Sequence, residues 1–123
     1  MVWGTGKPTR EFLYVEDAAE GILLGAEHYD ESHAVNLGSG VEISIHDLVH
    51  LIVKLTGFNG TIRWDSSRLD GQPRRCLDTT KAEKLFGFHA KWSLEDGLKE
   101  TVEWYKSNVE HGTSSIDPRT SKV

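Results

Sequence analysis

The feature that most constrains this chain is its punctuation. Ser44 with Asp47, Thr80 with Glu83, and Ser93 with Asp96 each set a hydroxyl residue three positions ahead of an acid. A hydroxyl that accepts from an early amide, answered by an acid one turn on, marks a helix start. Behind Ser44, Ile45, Leu48, Val49, Ile52 and Leu55 recur at helical spacing, and Gly57 supplies a stop. Behind Ser93 the stripe is Leu94, Leu98, Val102 and Tyr105, and the Thr80 helix ends at Gly87. Asp17 with Glu20 gives a fourth start, with Ala19, Ile22, Leu23 and Ala26 behind it and an end near Tyr29. Between these lie extended signals: Glu11–Val15, Ala34–Leu37 running into the Gly38-Ser39-Gly40 turn, and Thr61–Trp64. The pattern predicts a small α/β lobe of short strands and about four helices over residues 1–110. Residues 111–123 read as a polar, unpatterned tail. Trp64, Trp104, Phe86 and Phe88 fall in or beside apolar patterns and are expected in the core.

Several function classes are disfavoured at once. A length of 123 residues suits one domain, and a net charge of −5 argues against sequence-independent nucleic-acid binding, which needs a basic surplus. No apolar run approaches the ~20 residues of a membrane span. Met1 leads straight to Trp3, Gly4 and charged residues, unlike a signal peptide. The single cysteine, Cys76, has no partner for an internal disulfide, and a reducing cytoplasm is the expected setting.

Three tempting motifs fail on chemistry. Gly4-Thr5-Gly6-Lys7-Pro8 lacks the upstream glycine of a phosphate-binding loop and has proline where a hydroxyl is needed. Gly38-Ser39-Gly40 lacks the third glycine of a dinucleotide fingerprint, Ile43 standing in its place, and the next helix is delayed to Ser44. His46 and His50 have the spacing of a zinc-protease pair, but Asp47 is explained as a cap and no third ligand is nominated. The basic residues are more informative. Lys7 and Arg10 flank the first turn, and Arg63, Arg68, Arg74 and Arg75 bracket a second loop from Ser66 to Pro73. Guanidinium forks suit phosphate oxygens, so an anion site and simple solvated charge both fit this cluster.

One stretch is specific. Trp3-Gly4-Thr5-Gly6-Lys7-Pro8-Thr9-Arg10-Glu11-Phe12-Leu13-Tyr14-Val15-Glu16-Asp17 resembles a signature of GDP-L-fucose synthases, which are extended short-chain dehydrogenase/reductases. Asp65-Ser66-Ser67-Arg68-Leu69-Asp70-Gly71-Gln72-Pro73-Arg74-Arg75 is similar to a second loop of that family. Val35–Gly40 with Ser44-Ile45, and Ser93–Tyr105, resemble segments found more widely among nucleotide-sugar epimerases and dehydratases. The likeness runs in order along nearly the whole chain.

The resemblance implies the C-terminal, substrate-binding part of an extended reductase fold, with the Rossmann half absent. In the parent reaction it implies, GDP-4-keto-6-deoxy-D-mannose is epimerised at C3 and C5 and then reduced by NADPH to GDP-L-fucose. Trp3 would lie along the sugar nucleotide, and Arg10 would pair with its diphosphate. Asp70 would accept from the ribose or base side, and Arg75 would add charge at the phosphates. Arg68 stands where the family has lysine and Leu69 where it has proline, which keeps the charge but frees the loop. The family holds NADP(H) on a glycine-rich turn and reduces through Tyr-x-x-x-Lys. Here Tyr14, Tyr29 and Tyr105 are followed four residues on by Ala18, His33 and Val109. Cys76 follows the second loop, whereas the family's epimerising Cys and His precede the matched segment. The expected partners are therefore a GDP-sugar and the Rossmann half, with no cofactor held by this chain itself. A homodimer or swapped oligomer is expected where the missing half would leave an open face. Relatives acting on UDP- or TDP-sugars, and a non-enzymatic binding module, are the alternatives.

Overall fold

The computed structural model describes residues 1–112. Five short strands and four helices follow in the order β1 (Val2–Trp3), β2 (Thr9–Glu11), α1 (Val15–His28), β3 (Glu42–Ser44), α2 (Ile45–Thr56), β4 (Trp64–Asp65), β5 (Arg74–Arg75), α3 (Thr80–Phe86) and α4 (Leu94–Gly112). The predicted small α/β lobe is thus the observed architecture. The tail expected over 111–123 lies, from residue 113 on, outside the described residues.

Two of the punctuated helices begin as their caps dictate. The Ser44 hydroxyl accepts from the Asp47 amide at 3.0 Å and donates to the Asp47 carboxylate at 2.7 Å, and Gly57 closes α2 with φ +67°. The Ser93 hydroxyl accepts from the Asp96 amide at 3.1 Å at the start of α4. In α3 the start moves by one residue. Thr79 is the cap position and Asp78 accepts from the Thr80 amide at 3.0 Å, while Gly87 ends the helix as predicted.

The expectation for Asp17 is corrected. Helix α1 begins three residues earlier, with Tyr14 at the cap position, and Asp17 is a first-turn residue only 1% exposed. Its carboxylate accepts from the Lys91 and Trp92 amides at 3.0 and 3.1 Å, tying α1 to the lead-in of α4. An acid that looks like a cap is spent on a segment more than seventy residues away.

The strands also differ from their sequence signals. Only Glu11 of the expected Glu11–Val15 strand is paired, because β3 offers partners to residues 9–11 and β5 to residues 9–10. Phe12, Leu13 and Tyr14 instead line a cavity of about 410 Å³ that they share with the start of α4. Tyr14 meets Trp92 with ring centroids 4.7 Å apart and lies against Gly97, where a Cβ would come within 3.0 Å of its ring. Ala34–Leu37 forms no strand among the described residues, Ala34 is exposed, and the pairing there belongs to β3. Of Thr61–Trp64 only Trp64 pairs, against Val2.

The sheets are small. β1 and β4 run parallel, while β2 sits between antiparallel β3 and parallel β5. Helix α1 packs on α3 and α2 on α4. Phe88, 2% exposed, fills the space that Gly21 leaves on α1, since a Cβ there would stand 2.8 Å from its ring. Trp104 was expected in this core, but it is 66% exposed on α4. The apolar stripe of α1 also faces outward: Val15, Ala19, Ile22, Leu23 and Ala26 are exposed, and the helix turns Asp17 and Gly21 inward instead.

Candidate functional site

The two loops singled out in the sequence run side by side. The Val2 amide donates to the Arg63 carbonyl at 2.8 Å, Gly4 to Asp65 at 2.9 Å, and Thr9 to Pro73 at 2.9 Å. Residues 2–10 and 63–75 thus run alongside each other as a strip paired at its two ends in separate sheets, and Trp3, Arg10, Arg68, Asp70 and Arg75 all lie on it.

At its far end the parallel register of β2 and β5 sets Arg10 opposite Arg75. Side chains opposed in a ladder share a face, so the two guanidiniums stand on one side of the sheet. They line a groove of about 300 Å³ with Phe12, Leu13, Leu37 and Leu77, at and just beyond the carboxyl ends of both strands. Arg10 donates to the Thr9 carbonyl at 2.6 Å. Among the described residues neither arginine has a carboxylate within ion-pair distance. Arg74 does: its guanidinium is held by Glu42 at 2.8–2.9 Å, and this pairing, with the Thr9 hydroxyl, lowers the Glu42 carboxyl from its ordinary value.

The near end is built around Asp70 and Trp3. Both Asp70 oxygens are taken by Thr5, one by its amide at 2.5 Å and the other by its hydroxyl at 2.6 Å. The Thr5 hydroxyl and amide hold the Asp70 carboxyl below its ordinary value, with Lys7 adding a smaller attraction. Gly4, at φ +87°, permits this approach, because any Cβ would run into the Asp70 carboxylate. Trp3 is 68% exposed, and the Arg68 guanidinium lies 5.2 Å from its ring centre. Asp65 steadies that arginine at 3.7 Å. The turn between the two ends is fixed by α2, whose Ile45 and His46 amides donate to the Pro8 and Gly6 carbonyls at 2.9 Å. The His46 ring stacks on Trp64 with centroids 5.6 Å apart, and the His50 ring lies 4.4 Å from it.

Thr5, Asp65 and Glu11 matter to this arrangement, and sequence reasoning passed over them. The partners of Thr5 and Glu11 lie as far as 66 residues away or sit in backbone amides, so no local spacing announces them, whereas Asp65 holds Ser67 and Arg68 within three residues. Cys76 has no nucleophile's setting: burial, with the nearby Glu11 charge, pushes its thiol up. Gly38-Ser39-Gly40 does not fit a dinucleotide pyrophosphate, since strand β3 intervenes before α2 and the Gly40 amide is already given to Glu11 at 2.7 Å.

The NAD dependent epimerase/dehydratase family matches residues 1–38. A probable GDP-L-fucose synthase 1 from Oryza sativa subsp. japonica is 44% identical over 109 residues, 89% of this chain and 33% of the relative. The crystal structure of a GDP-L-fucose synthetase from Naegleria fowleri bound to NADP superposes with TM-score 0.82 at 33% identity, over 89% of this chain and 35% of that one. A UDP-glucose 4-epimerase from Thermotoga maritima, solved with UDP-glucose, gives TM-score 0.80 at 30% identity over 88% of this chain and 35% of that one. The chain spans about a third of the length of the curated relatives it matches. Over residues 1–38 the chain resembles the NAD dependent epimerase/dehydratase family, and over 89% of its length it is similar to GDP-L-fucose synthases.

Proposed function

We propose that this chain is the GDP-sugar-holding lobe of a GDP-L-fucose synthase-like epimerase/reductase, acting on GDP-4-keto-6-deoxy-D-mannose. The observation that carries the reading is the pair Arg10 and Arg75, set opposite each other at the ends of two parallel strands with no carboxylate in ion-pair distance among the described residues. Two guanidinium forks on one face suit a diphosphate. Trp3 offers an exposed ring beside the strip for the sugar nucleotide, with Arg68 adding charge over it. Asp70, oriented by Thr5, keeps lone pairs for hydroxyl or amide donors of the nucleoside. The lobe's contribution is to fix the nucleotide so that the sugar is presented to chemistry performed elsewhere. NADP(H) supplies the hydride in such enzymes, and no step performed by these residues runs through it. The outward stripe of α1 supports a second part of the reading, a Rossmann half as the partner that would cover this face.

Calorimetric titration with GDP, UDP and TDP tests the assignment. Tightest binding of GDP is expected, with Arg10→Ala and Arg75→Ala each weakening it by roughly tenfold to a hundredfold, the scale of one charged hydrogen bond. Preference for UDP, the base carried by the Thermotoga maritima relative's ligand, overturns the choice of nucleotide. Indifference to both arginine variants overturns the site. The purified polypeptide is expected to show no NADPH-dependent reduction of the keto-sugar, because none of its tyrosines is followed by lysine at the fourth position.

A further inference from the structure

The groove contains one carboxylate with no partner among its arginines. Glu11 follows Arg10 in β2, yet its oxygens are turned to backbone donors: Oε1 accepts from the Gly40 amide and Oε2 from the Leu77 amide, both at 2.7 Å. Leu77 lies two residues beyond Arg75, so a single side chain bridges the ends of both arginine-bearing strands and the Gly38–Gly40 turn. Gly38 makes room for it, because a Cβ there would collide with Oε1. Partial burial pushes Glu11 up, but the Leu77, Gly40 and Ser39 amides with the Cys76 thiol outweigh that and hold it below the usual carboxylate range. An acid beside two guanidiniums would ordinarily neutralise one of them. This one has each oxygen turned to an amide, and among the described residues neither arginine lies within ion-pair distance of it.

We propose that Glu11 is a positioning residue for diphosphate binding: it locks the Arg75 strand and the glycine turn to β2, so that Arg10 and Arg75 meet the anion as a fixed pair. The proposal rests on the nucleotide reading of the same groove. Glu11→Gln is the decisive variant because it keeps the shape and removes the charge, placing an amide donor against a backbone donor. A packing role would leave it silent. Titration of the 123-residue chain with GDP is expected to show roughly tenfold weaker binding in Glu11→Gln, the value of one charge-assisted hydrogen bond. Glu11→Asp, a carboxylate one methylene shorter, is expected to recover part of that loss, and it replaces the first variant should Glu11→Gln fail to fold. Wild-type GDP affinity in Glu11→Gln, or equal losses in the two variants, overturns the proposal. An NMR measurement separates it from the nucleotide reading. In the unliganded chain, Glu11→Gln should shift the Gly40 and Leu77 amides together with the side-chain N–H signals of Arg10 and Arg75. If wild type binds no GDP, the nucleotide reading fails alone; if the arginine signals stay unmoved, the positioning role fails whatever binds.

Discussion

At the scale of single residues, the site is organised by carboxylates that accept from the chain itself. Asp70 is locked by Thr5 and Glu11 by amides, and both are held below their ordinary titration range. The folded state therefore keeps these groups ionised at a pH where the unfolded chain would bind protons. Their stabilising effect is complete above the unfolded carboxylate values and disappears as pH falls through the lower folded ones. Replacing Thr5 by alanine removes the largest cause at Asp70, the hydroxyl hydrogen bond, and leaves the amide. The Asp70 carboxyl should then titrate closer to its ordinary value, followed by carbon NMR of the side chain. An unchanged titration would mean that the hydroxyl contributes nothing.

At the scale of elements, α1 is held less by its apolar stripe than by one buried acid. Asp17→Ala would strand the Lys91 and Trp92 amides and separate α1 from the start of α4. A loss of about 2–4 kcal/mol is expected, since each unsatisfied buried donor costs about 1–3 kcal/mol. Urea unfolding measures it, and a change below about 0.5 kcal/mol, the range of an ordinary surface substitution, would show that the anchor is idle. Helices were legible here where their signals were local. Ser44 with Asp47, Ser93 with Asp96, and the glycine stops at 57 and 87 all operate within one turn. Strands were not legible, because a two- or three-residue strand is chosen by its partner: Glu42–Ser44 pairs with β2 across more than thirty residues, while the better strand sequence of Phe12–Tyr14 is used for packing. The same distinction runs through the site. The types of Trp3, Arg10, Arg68, Asp70 and Arg75 marked them out, but the register that opposes Arg10 to Arg75 and the grip of Thr5 on Asp70 depend on the folded strip.

At the scale of the whole molecule, the most unusual property is an amphipathic helix worn inside out. Val15, Ile22 and Leu23 are about two-thirds exposed, beside a core in which only Ala82 and Phe88 among the described apolar residues are fully buried. Such a face invites association. Sedimentation at rising concentration should reveal self-association, and the double variant Ile22→Glu, Leu23→Lys should abolish it with the melting temperature nearly unchanged. A stable monomer at high concentration, or a large loss of stability in the variant, would contradict an open face.

The paired strip has a kinetic consequence. Its two halves are separated by about sixty residues, with two helices in the intervening chain. Closing so long a loop carries an entropic cost that the local helix α2 does not, so the pairings of β1 with β4 and β2 with β5 are expected to form after α2. The arginine pair then matures late in folding, and it comes apart whenever either segment lets go. A bound diphosphate would act as a clasp across that seam, slowing exchange at the Gly4 and Thr9 amides before it altered any helix.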